Sequence, residues 1–463
     1  MARGKKKAKE LTPEEKLAQA LVPVEEQPYQ VPENWCWVRL EQATEVLNGF
    51  AFKSKKYVDN GIRIIRIANV QDGYIEDDKP VFYPIDAETN IQKFILKAGD
   101  LLISLTGNVG RVALLSAELL PAALNQRVGC LRLNSFTVKK EFLYYYFLRK
   151  EFQSSCTKNA KGTAQLNMST EWLKLQPIPI APLSEQKRIV DRIKSIFSKL
   201  DEAKERAQEV VDGFEMRKSA ILYKAFTGEL TKKWREEQGV IFENWEQVVL
   251  SDICKINPKK LDTRNLPDDL EVSFFPMPAL SEIYGEITDP QIRTLKEVRT
   301  GFTNFSEGDI VFAKITPCME NGKSAVIGKL VNDIGFGTTE FFVLRCGNKL
   351  YNRYLYYLVR DQHFRDKAKT VMTGAVGQQR VPKSFLEEYQ IQLPSVAEQK
   401  EIIRILDDLF AKEMKVKEAS EAVIEQIDVM KKAVLARAFR GELGTNDPKE
   451  ESAVELLKSV INL

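Results

Sequence analysis

The residue types that most often carry catalysis are scarce in this chain or wrongly spaced. There is one histidine, His363, so a Ser-His-Asp triad, a two-histidine metal site or an H-E-x-x-H zinc site would have to rest on it. It lies in Tyr357–Phe364, whose apolar spacing suits an amphipathic helix and an ordinary surface or interface position. The cysteines Cys36, Cys130, Cys156, Cys254, Cys318 and Cys346 form no C-x-x-C pair. They therefore suggest neither a zinc ribbon nor a disulfide framework, and read as small buried hydrophobes in a reducing compartment. Gly322-Lys323-Ser324 matches the end of a phosphate-binding loop, but Pro317 stands where its first glycine is needed. No G-x-G-x-x-G follows a strand, and Asn257-Pro258-Lys259-Lys260 is not the Asn/Asp-Pro-Pro-aromatic motif of an amino-methyltransferase. Asp77-Asp78, Asp268-Asp269 and Asp407-Asp408 are sequence neighbours whose side chains point apart. The expectation is a chain without a catalytic site or a metal.

What remains are hydrogen-bonding side chains on glycine-punctuated turns. Leu105–Arg111 carries Asn108 and Arg111, and Gly162–Asn167 carries Gln165 and Asn167. Further on, Asn321 and Lys323 flank Gly322, and Gly374–Arg380 carries Gln378, Gln379 and Arg380. Side chains of this kind can pair with flat polar edges; the alternative for each is a turn residue bonded to its own backbone. Either role needs elements to hold the turns, and those elements occur twice.

Ala225-Phe226-Thr227-Gly228-Glu229-Leu230 returns as Ala438-Phe439-Arg440-Gly441-Glu442-Leu443, and Glu185-Gln186-Lys187 returns as Glu398-Gln399-Lys400, both at an offset of 213 residues. Upstream, Glu33-Asn34-Trp35 recurs as Glu243-Asn244-Trp245, Gly99-Asp100 as Gly308-Asp309, and Leu143-Tyr144-Tyr145 as Leu355-Tyr356-Tyr357, at slightly shorter offsets. An ordered series of this kind marks an internal duplication.

The second part of each copy predicts a long helix. Ile189, Ile193, Ile196, Leu200, Ala203, Ala207, Val210 and Phe214 step by threes and fours, as do Ile402, Ile405, Leu409, Val416, Ala419, Val423, Ile427, Met430 and Val434. Pro182 with Ser184, and Pro394 with Ser395, precede the stripes, and Gly228 and Gly441 follow them. Rods of roughly 60 Å, at about 1.5 Å per residue, would find their simplest partners in each other. The first part of each copy carries short β-rich runs, Ile62–Ile67, Asp100–Leu105 and Asp309–Ile315, then one short helix over Phe142–Phe152 or Tyr354–Phe364. The fold class read from this is α+β: two α+β domains separated by two long helices that form an intramolecular antiparallel coiled coil, with pseudo-two-fold repetition. The divisions are an N-terminal extension (1–29), a first domain (30–183), a central helix (184–230), a second domain (231–394), a C-terminal helix (395–443) and a tail (444–463). The basic start, Arg3 to Lys9, reads as a disordered arm, and Ser452–Ile461 as a helix able to dock on a partner.

The chain's 463 residues, 44% hydrophobic and 29% charged, suit several globular domains. No apolar run is long enough to span a membrane, and no apolar segment follows the basic start as a signal peptide requires. These features point to a cytoplasmic protein.

Two variable α+β domains, each followed by a helix opening with Leu-Ser-Glu-Gln-Lys or Val-Ala-Glu-Gln-Lys and closing with Ala-Phe-x-Gly-Glu-Leu, resemble the specificity (S) subunit of type I restriction-modification systems. The resemblance covers roughly residues 30 to 445. It implies two target recognition domains that each read half of a split, asymmetric sequence in double-stranded DNA. It also implies a helical spacer binding two methyltransferase (M) subunits, with restriction (R) subunits completing the complex. S-adenosylmethionine, ATP and Mg are then expected on the partners and no cofactor on this chain. Base readers would be Asn108, Arg111, Gln165, Asn167, Asn321, Lys323, Gln378, Gln379 and Arg380, because such side chains match base edges. Asn69 and Tyr144–Tyr146 read as structural. The formal charge of +3 is low for a DNA binder. Phosphate contacts would therefore come from local clusters, Lys53-Ser54-Lys55-Lys56 and Lys259-Lys260 with Arg264. The competing reading is a helical adaptor, or scaffold, that binds protein partners without reading DNA.

Overall fold

The computed structural model describes residues 12–85, 89–133, 137–162, 165–242, 245–282, 285–375 and 377–461. The basic start, Glu243-Asn244 of the repeat, Thr163-Ala164 and Val376 lie outside the described residues. The chain divides into two compact units, Met1–Arg206 with Val423–Leu463, and Ala207–Ala422.

Among the described residues of the first unit are the strands β1 (Cys36–Arg39), β2 (Thr44–Asn48), β3 (Ile62–Ile65), β4 (Phe82–Tyr83), β5 (Leu101–Ser104), β6 (Val112–Leu114), β7 (Ala122–Leu124), β8 (Val128–Leu133) and β9 (Pro177–Ile180). They form an antiparallel sheet of order β2-β8-β5-β6, a smaller sheet of order β4-β3-β7 and the pair β1-β9. β3 and β7 run parallel. The central strand β5 is buried along its whole length. Its two-residue period sends Leu101 and Ile103 into a core shared with the helices, and Leu102 into a second core shared with Ala113, Leu124 and Cys130.

The second unit repeats the plan with β10 (Glu246–Val249), β11 (Cys254–Ile256), β12 (Glu271–Phe275), β13 (Gln291–Thr294), β14 (Thr303–Phe305), β15 (Ile310–Ala313), β16 (Ser324–Val326), β17 (Gly335–Gly337), β18 (Phe341–Cys346) and β19 (Gln390–Leu393). The orders β11-β18-β15-β16 and β10-β19 match their counterparts; β13-β12-β17-β14 has one strand more. Ile310 and Phe312 of β15 again face one core, Val311 and Ala313 the other. The repeated Gly-Asp also has a common use. Asp100 accepts from the Lys97 amide at 2.8 Å and pairs with Arg132 at 2.5 Å. Asp309 accepts from the Ser306 amide at 2.8 Å and pairs with Arg345 at 2.7 Å.

The helices differ from expectation in detail. Each predicted short helix is two: Lys140–Phe147 with Lys150–Asn159, and Asn352–Arg360 with Gln362–Thr370. Arg149 and Asp361 take extended backbone and restart the helix; the Asp361 carboxylate accepts from the Phe364 amide. His363 follows that cap and is exposed. The central helix runs Leu183–Asp212 and resumes as Phe214–Phe226 after Gly213, whereas Val396–Ala438 is unbroken. Both closing motifs cap the equivalent carbonyl, though from donors one position apart in the repeat: Leu230 N–H donates to Lys224 O at 3.0 Å and Glu442 N–H to Arg437 O at 2.9 Å. The C-terminal helix Ala453–Ile461 docks on its own unit: Ala453 and Leu457 share a core with Leu17 of helix Pro13–Ala20.

The repeated sequence markers meet at the head of each long helix. In the first unit Glu185 is fully buried, and Trp35 Nε1–H donates to Oε2 at 2.8 Å, Asn446 Nδ2 to the same oxygen at 2.9 Å, and the Thr445 hydroxyl to Oε1 at 3.3 Å. In the second, Glu398 accepts from Trp245 Nε1–H at 2.9 Å, the Thr231 hydroxyl at 2.7 Å and Arg235 Nη1 at 2.6 Å. The next residue, Gln186 or Gln399, takes the amide of Lys139 or Tyr351 and donates to two carbonyls, Thr137 and Ala181 or Lys349 and Pro394. Within each unit the helices run antiparallel. Lys204 pairs with Asp428 at 2.8 Å and Lys431 with Asp201 in the first. Arg217 pairs with Glu413 at 2.7 Å, and Lys417 stands 5.0 Å over the Phe214 ring, in the second.

Removing one partner of a buried ion pair costs about 3–5 kcal/mol, because the other charge is left desolvated. Arg235→Met is therefore expected to lower the unfolding free energy of the second unit by about that amount. Hydrogen exchange resolved by region should show faster opening around Glu398 and unchanged protection around Glu185; equal protection in both would contradict this account.

Candidate nucleic-acid interface

In the first unit the four-stranded sheet has one end from which loops emerge. β5 ends there, β6 and β8 begin there, and β2 arrives with Asn48 opposite Gly129. The loop Leu105–Arg111 is drawn into its own mouth by Ser104, whose hydroxyl donates to Asn108 O at 2.5 Å and accepts from the Arg111 amide at 3.0 Å. Lys161–Gly162 and Gln165–Met168 lie alongside: Gly107 N–H donates to Leu166 O at 2.8 Å, and Met168 N–H to Leu105 O at 2.8 Å. Gly162 turns this segment at φ +125°, where a Cβ would come within 2.2 Å of Gln165 O.

The second unit repeats the backbone bonds, with Ala313 in place of Ser104. Val381 N–H donates to Lys314 O at 2.9 Å, as Met168 does to Leu105, and Gly374 turns its segment at φ +125°. Bridges join Thr106 and Lys161 to Asn167 in the first unit, and Ile315 and Thr373 to Arg380 in the second. Asn167 and Arg380 thus occupy one place in the repeat.

The structure brings Asn108, Arg111, Gln165 and Asn167 together at this sheet end, and their availability differs. Asn108 and Gln165 are exposed, with no side-chain hydrogen bond among the described residues. A Cβ on Gly107 would lie 3.6 Å from Gln165 Nε2, which places that amide over the neighbouring loop. Arg111 Nη1 donates to Gln71 Oε1 at 2.5 Å. Asn167 is used internally: its Oδ1 accepts from the Thr106 hydroxyl at 3.0 Å and its Nδ2 donates to Gln165 O at 3.0 Å. The turn alternative therefore describes Asn167. In the second unit Gln378 and Gln379 are the open amides, exposed and half-buried respectively. Arg380 grips Glu340 through Nε and Nη2, both at 2.9 Å. Asn321 donates to Glu282 at 3.1 Å, and Lys323 stands 3.6 Å from the same carboxylate.

Lys53 lies in a separate loop that leaves β2 and is tied back by Gln126 N–H to Phe50 O at 3.0 Å. Lys259 follows Asn257, whose Oδ1 accepts from the Val343 amide at 3.0 Å. Both lysines are exposed, whereas Lys260 donates to Phe302 O at 2.8 Å and Arg264 pairs with Asp262 at 2.7 Å. Asn69 is structural, bonded to the Arg66 amide and Glu76 O. Tyr145 and Tyr146 are buried, and the Tyr144 hydroxyl donates to Gly73 O at 2.9 Å.

Sequence reasoning missed Gln71, Glu282 and Glu340, which hold its candidates, and Arg127, which stands beside them. Spacing gave no hint of Gln71 or Glu282, since each lies about 40 residues from its partner. Aligning the two copies strand by strand would have set Arg127 against Glu340. The hydrogen bonds from Arg380 hold the Glu340 carboxyl below its ordinary pKa. The pair's stabilisation is thus complete above the ordinary carboxylate range and is lost as pH falls through the depressed value.

The two units repeat one α+β plan, each with hydrogen-bonding loops gathered at one end of its four-stranded sheet. Residues 32–211 and 242–426 match the family model of the type I restriction modification DNA specificity domain, and the chain belongs to that family. It is 33% identical to the EcoEI specificity subunit of Escherichia coli over 260 residues, 47% of this chain and 43% of that subunit. That match spans less than half of the relative's length. With the StySPI specificity subunit of Salmonella potsdam it is 22% identical over 426 residues, 89% of this chain and 90% of the relative. A solved chain from work on complex assembly and conformational transition of the type I R-M system shares the fold, with a TM-score of 0.64 at 19% identity, covering 90% of this chain and 100% of that one.

Because a side chain at Gly162 would strike the loop it closes, Gly162→Ala is expected to loosen residues 161–168 by about 1–3 kcal/mol. Hydrogen exchange should quicken over that segment while the amides of β5 and β8 keep their protection. Unchanged exchange would show that the turn is not strained.

Proposed function

We propose that this chain is the sequence-reading subunit of a type I restriction-modification complex. Each unit's loop cluster reads one half of a bipartite, asymmetric target in double-stranded DNA. The long helices, packed as one antiparallel coiled coil, fix the separation of the half-sites and seat two M subunits, with R subunits joining them. The chain supplies no cofactor and no catalytic group; S-adenosylmethionine serves the M subunits, and ATP with Mg serves the R subunits. The complex works in the cytoplasm, and no helix among the described residues is long and apolar enough to cross a membrane.

The observation that carries this reading is the pair of loop clusters. One backbone plan presents Asn108, Arg111 and Gln165 in the first unit and Gln378, Gln379 and Lys323 in the second, a change of hydrogen-bonding pattern without a change of framework. Side chains of these types discriminate base edges when held on well-supported loops. The antiparallel helix pairing inside each unit supports the ruler. Val416, Val423 and Met430, which the apolar spacing assigned to the seam between the helices, instead stand exposed together with Val429 along the C-terminal helix and suit protein partners.

Selection from random-sequence duplexes by the complex with M subunits should return two short motifs at one fixed separation. Replacing residues 30–183 with another recognition domain should alter one motif and leave the other intact. A complex that forms but enriches no motif would instead establish the adaptor reading.

A further inference from the structure

The two units differ in charge at one place whose backbone is the same. Arg127 immediately precedes β8, and Glu340 immediately precedes β18. Leu105 N–H donates to Arg127 O at 3.0 Å, and Lys314 N–H to Glu340 O at 3.0 Å. Each residue closes a small turn on the side chain two positions earlier: Arg127 N–H donates to Asn125 Oδ1 at 3.3 Å, and Glu340 N–H to Thr338 Oγ1 at 3.2 Å. Arg127 and Glu340 are thus equivalent, as are Asn167 and Arg380.

In the second unit these two places neutralise each other. Arg380 lies across Glu340 in a two-pronged ion pair, and Ile315, which replaces Thr106, offers no hydroxyl that could hold a polar side chain at position 380 instead. In the first unit the chemistry is inverted. Thr106 and the Gln165 carbonyl consume both ends of Asn167, and the acid is replaced by an arginine. Arg127 is exposed and, among the described residues, its side chain has no hydrogen bond, ion pair or ring contact. An unpaired guanidinium emerges at the sheet end where Asn108, Arg111 and Gln165 gather, on a turn fixed by two backbone hydrogen bonds.

We infer that Arg127 is a specificity-determining residue of the first unit and reads the O6/N7 edge of a guanine in its half-site. This rests on the DNA-reading function proposed above. A planar fork of donors matches that edge with two parallel bonds, a geometry that lysine cannot reproduce. In the second unit Glu340 and Arg380 occupy each other, so the same place carries no unpaired guanidinium. The two half-sites therefore differ at the base pair facing it.

The test uses the full chain in complex with its M subunits, comparing wild type, Arg127→Lys and Arg127→Gln by selection from randomised duplexes and by salt-dependent binding to the selected site. Both variants should keep the wild-type melting temperature, since the side chain has no partner to lose among the described residues. Each should lose discrimination by about tenfold or more at one guanine of the first half-site, with the second half-site unchanged. An intact motif with uniformly weaker binding and a shallower salt slope would make Arg127 a phosphate contact and overturn the inference. An unchanged motif with unchanged affinity would overturn it too, as would degeneracy in both half-sites. If the wild-type complex itself enriches no motif, the failure lies in the proposed function rather than in the choice of residue.

Discussion

A carboxylate with no access to water at the head of each long helix is the constraint on which the rest depends. Glu185 and Glu398 are 0% and 1% exposed, so each must find donors inside the protein. Those donors come from distant segments: the tryptophan that opens each α+β domain, and the chain that follows the closing Ala-Phe-x-Gly-Glu-Leu motif. In the first unit that second segment is Thr445-Asn446, at the end of the C-terminal helix; in the second it is Thr231 with Arg235, at the end of the central helix. Satisfying one buried charge thus ties three stretches of chain together, and it accounts for markers that recur at fixed offsets while their surroundings drift.

The two junctions solve the same problem with different chemistry. Glu398 faces an arginine that also stacks near Phe242 and Trp245. Glu185 is held by neutral donors, with Arg188 engaged instead by Glu450 at 2.8 Å. Loss of Arg235 would leave Glu398 only the neutral donors Trp245 and Thr231, whereas the donors of Glu185 include no cation to lose. The duplicated plan therefore conserves a geometric requirement, a buried acceptor at a helix head, without fixing which donors meet it.

Much of this was legible in the sequence, for a physical reason. Helical periodicity, closing motifs and repeated markers are local patterns, and they gave the long helices and the two α+β domains. Strand pairing is not local. The parallel partnership of β3 with β7 joins residues about 60 positions apart, and nothing in Ile62–Ile65 specifies it. The short helices were misread as continuous because apolar spacing runs through both Arg149 and Asp361; only the extended backbone at those residues reveals the breaks. Gly213 interrupts the central helix differently, within an uninterrupted stripe and with near-helical backbone (φ −75°, ψ −5°).

At the loops, residue type indicated where the polar groups cluster but not which of them are free. Asn167 and Gln165 are alike on paper, yet one spends both ends of its amide on the loop and the other spends neither. Arg111 and Arg127 differ in the same way, through a Gln71 that lies far away in sequence. A side chain already paired inside the protein must break that pairing before it can meet a ligand, so its net contribution to binding is a difference between two hydrogen bonds. An unpaired one loses only water. Divergence between two copies of one framework can therefore alter recognition either by changing the side chain that faces the ligand or by changing the neighbour that occupies it. The replacement of Thr106 by Ile315, which faces no ligand in this account, is a change of the second kind: it decides whether the polar group beside it is held by the loop or left to seek an acid.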